Sequence, residues 1–90
     1  MSDVRNNEAA NRFELDTAGH LAVAYYRLAP GIITFTHTEV PTALSGQGIG
    51  SKLARGALEQ VRAMKLKVVA QCPFIAAYIG KHAEFSDLLK

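Results

Sequence analysis

The sequence holds 90 residues, 49% hydrophobic and 20% charged, with a formal net charge of +2, which is enough chain for one domain and too little for a second core. A pI of about 8.9 with dispersed cations suits an anionic small ligand and excludes the concentrated basic face that nucleic-acid binding needs. Cys72 is the single cysteine, so no intrachain disulfide forms and a reducing, cytoplasmic setting is expected.

Residues 1–11 lack the apolar h-region of a secretory signal and read as a flexible N-terminal tail before a folded domain over residues 12–90. The longest apolar stretches, residues 21–26 and 74–79, fall short of the ~18 residues that suggest a membrane span. A soluble protein with no membrane partner is expected. Residues 12–16 alternate polar and apolar, the period of a half-buried strand. Residues 17–20 read as a turn. Residues 21–28 are almost continuously apolar and aromatic, as in a strand covered on both faces. Pro30 and Gly31 break it, and residues 32–40 give a third strand, antiparallel to the second if the connection is a hairpin. Ile49, Leu53, Ala57, Val61 and Met64, with Ala54 and Leu58, recur at helical spacing, so an amphipathic helix of about 22 Å follows. Residues 67–72 form a fourth strand, and Pro73 suits the first turn of a shorter helix over residues 74–81. Phe85, Leu88 and Leu89 pack a last turn. The pattern predicts an α+β domain in the order β-β-β-α-β-α, a mainly antiparallel four-stranded sheet with one long and one shorter C-terminal helix.

Three glycines at alternate positions, Gly46, Gly48 and Gly50, separate the third strand from the long helix. A helix start has about four backbone N–H groups without partners and roughly half a unit of positive charge, so it attracts anions. Glycine also lets a phosphate approach the main chain. Gly46, Gln47, Gly48, Ile49 and Gly50 can thus line a nest of amides, with the Ser51 hydroxyl and Lys52 ammonium nearby. The alternative is a tight turn with no ligand. A Walker loop is excluded because no Gly-Lys-Ser/Thr occurs, and a dinucleotide fingerprint fails because its third glycine falls on Ser51 or Leu53.

The segment Leu44-Ser-Gly-Gln-Gly-Ile-Gly-Ser-Lys-Leu53 resembles the coenzyme-A-binding turn of the GNAT superfamily of N-acetyltransferases, Arg/Gln-x-x-Gly-x-Gly/Ala opening a helix. Phe35-Thr-His-Thr-Glu-Val-Pro41 and Val69-Ala-Gln-Cys-Pro-Phe-Ile-Ala-Ala-Tyr78 resemble its minimal single-domain subgroup. Ser45 departs from the superfamily's Arg/Gln, which removes one phosphate contact. Ala83 departs from the subgroup's proline after the histidine. The resemblance covers residues 12–90 and implies a GNAT-like fold with acetyl-CoA as co-substrate. It implies a cofactor site at Val40, Gly46, Gln47, Gly48, Ile49, Gly50, Ser51 and Lys52. It also implies that Val69 and Ala70 offer backbone groups to the pantetheine arm where the sheet splays.

Acetyl transfer to an amine needs a proton acceptor, oxyanion donors and a proton for the departing thiolate. His37 and Glu39 share one face of the third strand. They are candidate bases, direct or through water; otherwise His37 bonds beneath the turn and Glu39 sits in solvent. Cys72 precedes a proline-initiated helix whose amide dipoles favour a thiolate, which permits an acyl-cysteine route; an inert buried thiol is the alternative. Tyr78 is a candidate proton donor, as the resemblance implies, or ordinary core. No metal site is expected, because His20, His37, His82 and Cys72 lie in separate elements without ligand-pair spacing. The reading is an acetyl-CoA-dependent N-acetyltransferase with an unidentified amine or polypeptide acceptor. The other class is a non-catalytic coenzyme-A-binding module. Because the chain is shorter than a full GNAT domain, the acceptor side is left to a large substrate or to the second subunit of a homodimer.

Overall fold

The computed structural model describes residues 3–17, 19–44 and 46–90. Strands β1 (Arg5–Asn7), β2 (Arg12–Thr17), β3 (His20–Ala29), β4 (Ile32–Glu39) and β5 (Lys67–Ala70) form one sheet in chain order. Helix α1 (Ile49–Ala63) crosses from β4 to β5, and α2 (Pro73–Lys81) follows β5. The first four strands pair antiparallel and β4 pairs β5 in parallel. That is the α+β architecture the periodicity predicts, with one strand more than expected.

The additional strand lies where the sequence reads as a tail. Arg5 pairs with Glu14, Asn6 with Phe13 and Asn7 with Arg12. Val4 is buried and its carbonyl accepts from Gln60 Nε2 at 2.6 Å. The Tyr26 hydroxyl donates to Asn6 Oδ1 at 2.6 Å. Polar groups carry this anchoring, so hydrophobic alternation gives no sign of it. Met1 and Ser2 lie outside the described residues, as does Ala18 in the expected turn before β3.

One face of the sheet carries the core. Phe13, Leu15, Ala22, Ala24, Ile33 and Phe35 project from it against Leu53, Leu58 and Val61 of α1 and Ile75 of α2. Leu53 and Leu58 are fully buried, so truncating either to Ala should cost about 2–5 kcal/mol. The long helix stops at Lys65, which takes a left-handed φ of 61°. Lys65 N–H donates to Arg62 O at 3.0 Å and Leu66 N–H to Val61 O at 3.3 Å, the paired bonds of a Schellman ending.

A bulge in β4 decides what the other face shows. Tyr25 pairs with His37 but Tyr26 pairs with Phe35, so Thr36 is an extra residue on β4. Upstream, Ile33 and Phe35 face the core. Downstream the parity inverts: Thr38 pairs with the core residue Ala24, whereas His37 and Glu39 pair with Tyr25 and Val23 on the helix-free face.

Candidate active site

The parallel ladder ends at Phe35 and Ala70, where the Phe35 carbonyl accepts from both Gln71 N–H at 3.1 Å and Cys72 N–H at 3.0 Å. Residues 67–72 were expected as strand; the last two instead share one acceptor and turn into α2. Beyond Phe35, β4 runs on to Glu39 without a β5 partner. The sheet opens there, beside the start of α1.

The glycine turn lies at that opening. Gly46 and Gly48 take φ values of 80° and 71°, and Gly48 is the N-cap of α1 without a side-chain cap. The first intrahelical bond runs from Lys52 N–H to Gly48 O at 3.0 Å, so the amides of Ile49, Gly50 and Ser51 precede the ladder. A Cβ at Gly46 or Gly48 would meet no atom within 4 Å. The space over the main chain is open, as a phosphate cradle requires. Val40, Gly46, Gly48, Ile49, Gly50 and Ser51 line one depression of about 250 Å³ together with Leu44 and Phe74.

The other two expected cradle residues stand apart from it. Gln47 N–H donates to Leu44 O at 3.3 Å, which turns that donor back into the loop. Lys52 Nζ lies 3.0 Å from Asp3 Oδ2, both side chains largely exposed. Ser45 lies outside the described residues.

Gly50 has a different task from its neighbours. A Cβ there would stand 2.7 Å from Phe74 Cζ, so this glycine admits the tip of an aromatic ring. Phe74 stays 40% exposed. The sequence places it only as the start of a helix, and its spacing from Gly50 gives no hint of the contact.

His37 and Glu39 do come together, with Nε2 3.1 Å from Oε2, and each side chain is 61% exposed. The His37 ring stacks on Tyr25 at 6.4 Å between centroids. Arg12 lies over the other ring of this row, 5.7 Å from the Tyr25 centroid, and donates to the Tyr25 hydroxyl at 3.1 Å. Beside it Glu14, which strand alternation assigns to an exposed polar face, is 3% exposed. It accepts from Asn7 Nδ2 at 2.9 Å, from Arg5 at 3.1 Å and from Arg12. The Asn7 hydrogen bond, aided by Arg12 and opposed by burial, holds the Glu14 carboxyl below its usual range.

Cys72 lies on the opposite side of β4. It is 3% exposed and its Sγ sits 3.1 Å from Thr38 Oγ1. Tyr78 is also buried; its ring stacks on His82 at 3.9 Å and its hydroxyl interacts with Arg55. The structure thus joins His37 to Glu39 and Cys72 to Thr38, but separates the two pairs by the thickness of the strand and gives Tyr78 other partners.

Val69 and Ala70 take a different part from the one expected. Lys67 N–H and Gln71 N–H both point to β4, so alternation commits the Val69 amide to that ladder. Lys90 N–H donates to Val68 O on the outer edge at 3.0 Å, and Ala70 faces the same way, away from the opening. The outer edge borders a larger cavity of about 480 Å³ lined by Ala76, Ile79 and Leu89 among others. Among the described residues no group of three His, Cys, Asp or Glu side chains converges as a metal site, and no helix is long and apolar enough to cross a membrane.

A crossover helix with a glycine-capped start, set where a sheet opens beside it, defines an acyltransferase-like class of fold. The sequence model described as GCN5-related N-acetyl-transferase matches residues 12–88, and the chain belongs to that family. The solution structure of a GCN5-like protein from Staphylococcus aureus superposes with a TM-score of 0.74 at 30% identity, covering 100% of this chain and 91% of the other. Protein NATD1 of Gallus gallus and of Mus musculus is 38% identical over 58 residues, 64% of this chain and 53% of theirs. The same identity and length hold for protein NATD1 of Homo sapiens, over 51% of its length. The chain therefore spans about half the length of the curated relatives it matches.

Proposed function

We propose that the domain binds acetyl-CoA and transfers its acetyl group to an amine. The observation that carries this reading is the coincidence, at one end of β4, of the opened sheet and the uncovered glycine turn. Gly46, Gly48 and the amides of Ile49, Gly50 and Ser51 would hold the diphosphate, helped by the positive end of the helix. Val40 forms a wall of the same depression, and Gln47 shapes the turn. Lys52 adds charge by exchanging Asp3 for phosphate. When bound, the cofactor supplies an activated acetyl thioester.

The acceptor amine approaches from the helix-free face, where Glu39 and His37 take its proton. Their mutual contact and exposure support that role, since they are the titratable side chains of β4 and both stand open to an incoming amine. Cys72 is buried and hydrogen-bonded to Thr38, which supports direct transfer over an acyl-cysteine route. Tyr78 is assigned to packing, and the thiolate takes its proton from solvent or from the His37–Glu39 pair. The cytoplasm is the proposed location.

Calorimetric titration with acetyl-CoA and with CoA tests the cradle, and release of free thiol with a panel of amines and peptides tests the chemistry. Binding of both ligands and amine-dependent thiol release are expected. Absence of heat for either ligand at high micromolar concentration would overturn the proposal. Binding without turnover would leave a coenzyme-A-binding module.

A further inference from the structure

The arginines of the chain differ in their partners. Arg5 and Arg12 pair with Glu14, Arg55 with Glu59 and Glu84, and Arg62 with Asp87. Arg27 pairs with no carboxylate among the described residues. Its Nη2 lies 3.5 Å from Gln71 Oε1, a long contact to a neutral group between two exposed residues. An arginine left in this way keeps most of its N–H donors for something outside the chain.

The position of Arg27 gives those donors a use. Tyr26 is core, so Tyr25 and Arg27 share the helix-free face. Tyr25 pairs with His37 and Arg27 with Thr34, which in turn pairs with Val69. Arg27 thus reaches across the short Thr34 side chain to Gln71, the first residue past the parallel ladder, whose N–H is bound to Phe35 O at 3.1 Å. The mouth of the opened sheet has a carboxylate and an imidazole on one side, from Glu39 and His37, and a guanidinium and an amide on the other. Two residues of strand separate Tyr25 from Arg27, about 7 Å, so a few bonds of a small molecule bridge the two ends.

Opposite charges at that spacing are the complement of a zwitterion. The negative end draws an ammonium and receives its proton. The positive end draws a carboxylate, which a guanidinium takes with paired hydrogen bonds. A carboxylate placed beside Glu39 is repelled, and the amine is thereby turned towards the proposed bases.

We infer that the acceptor is a small amino acid, its amine directed to Glu39 and His37 and its carboxylate held by Arg27 with Gln71 alongside. The ammonium gives one proton to the His37–Glu39 pair and so to solvent. Attack of the amine then forms the N–C bond and breaks the acetyl C–S bond, and the second proton passes to the thiolate through the same pair or solvent. This rests on the transferase reading above, and the test separates the two.

The measurement is thiol release from acetyl-CoA with the common α-amino acids, β-alanine and 4-aminobutyrate, each beside its carboxamide, and with lysine-bearing peptides. It is made on the full chain, Arg27→Ala and Arg27→Lys, with thermal melts to verify folding. At least one amino acid should show a kcat/KM about tenfold or more above that of its carboxamide. Arg27→Ala should erase that difference, mainly through KM, and Arg27→Lys should restore part of it, since lysine keeps the charge but not the paired donors. Turnover of every amino acid no faster than its carboxamide would overturn the inference. So would turnover confined to the peptides, or a preference that survives in Arg27→Ala. In each of these cases acetyl transfer still occurs and the transferase reading stands. Absence of amine-dependent thiol release across the whole panel would overturn that reading and this inference with it.

Discussion

The Cys72 sulfur lies 3.1 Å from the Thr38 hydroxyl, tying the end of β4 to the residue that caps α2. The contact lies beneath the strand, while the proposed bases stand above it. Thr38→Val removes the hydroxyl at similar size and should cost about 1 kcal/mol in urea unfolding. Cys72→Ser should keep amine acetylation within about threefold of the parent, a change of under 1 kcal/mol in the barrier. An acetyl adduct on Cys72 seen by mass spectrometry, together with loss of turnover in Cys72→Ser, would establish the covalent route instead.

Glu39→Gln and His37→Ala should each lower kcat by about 10²–10⁴, the usual scale of general-base loss, with KM for acetyl-CoA nearly unchanged. Both side chains are exposed, so melting should shift little. Steady-state kinetics beside thermal melts checks both halves, and full kcat in the double variant would refute the base assignment.

Gly48→Val combines a branched side chain with a φ of 71° and places new atoms over the proposed phosphate position. It should destabilise by about 1–2 kcal/mol and weaken CoA binding tenfold or more. Retained affinity would mean that the ligand lies elsewhere.

Gly50→Ala should behave differently. Its new methyl meets only the far end of an exposed ring, and Ala favours a helix over Gly by up to about 1 kcal/mol. Stability should hold or rise while Phe74 swings aside and CoA affinity falls. Unfolding and titration on the same sample distinguish this outcome from a packing defect.

Much of the fold is legible in the chain because its signals are periodic. The alternation of residues 12–16 and the three- and four-residue spacing from Ile49 to Val61 each mark a buried stripe, and Pro73 and the glycines punctuate them. Strand β1 escapes that logic, since Arg-Asn-Asn has no apolar period and is held by side-chain hydrogen bonds. The cradle can be found because glycine before a helix is a local pattern. Phe74 and Thr38 cannot, because each acquires its neighbour only when separate elements pack together. His37 and Glu39 show a common parity in the sequence, but their face depends on the bulge at Thr36, which no single residue type announces.

Glu14 makes a prediction about acid. Its folded carboxyl titrates below the unfolded value, chiefly through the Asn7 hydrogen bond, so the unfolded chain binds the proton more readily. The resulting stabilisation is fully present above the unfolded pKa, about 4.3, and is lost as pH falls through the lower folded value. Urea midpoints should drop across that acidic window and stay flat from pH 6 to 7 on this account. Glu14→Gln should show a shallower acid slope, and an unchanged slope would place the acid sensitivity in another group.

The spare residue at Thr36 works as a parity offset: its lack of a ladder partner, independently of its identity, assigns each downstream group to water or to the interior. Were Thr36 to pair with Tyr25 in a regular ladder, each later residue would slip by one partner, aiming an imidazole at Ala24 and a carboxylate at Ala22 and lifting Thr38 away from the thiol. Substitutions that keep the bulge should therefore leave both faces as they are, whereas one that straightened it would exchange them.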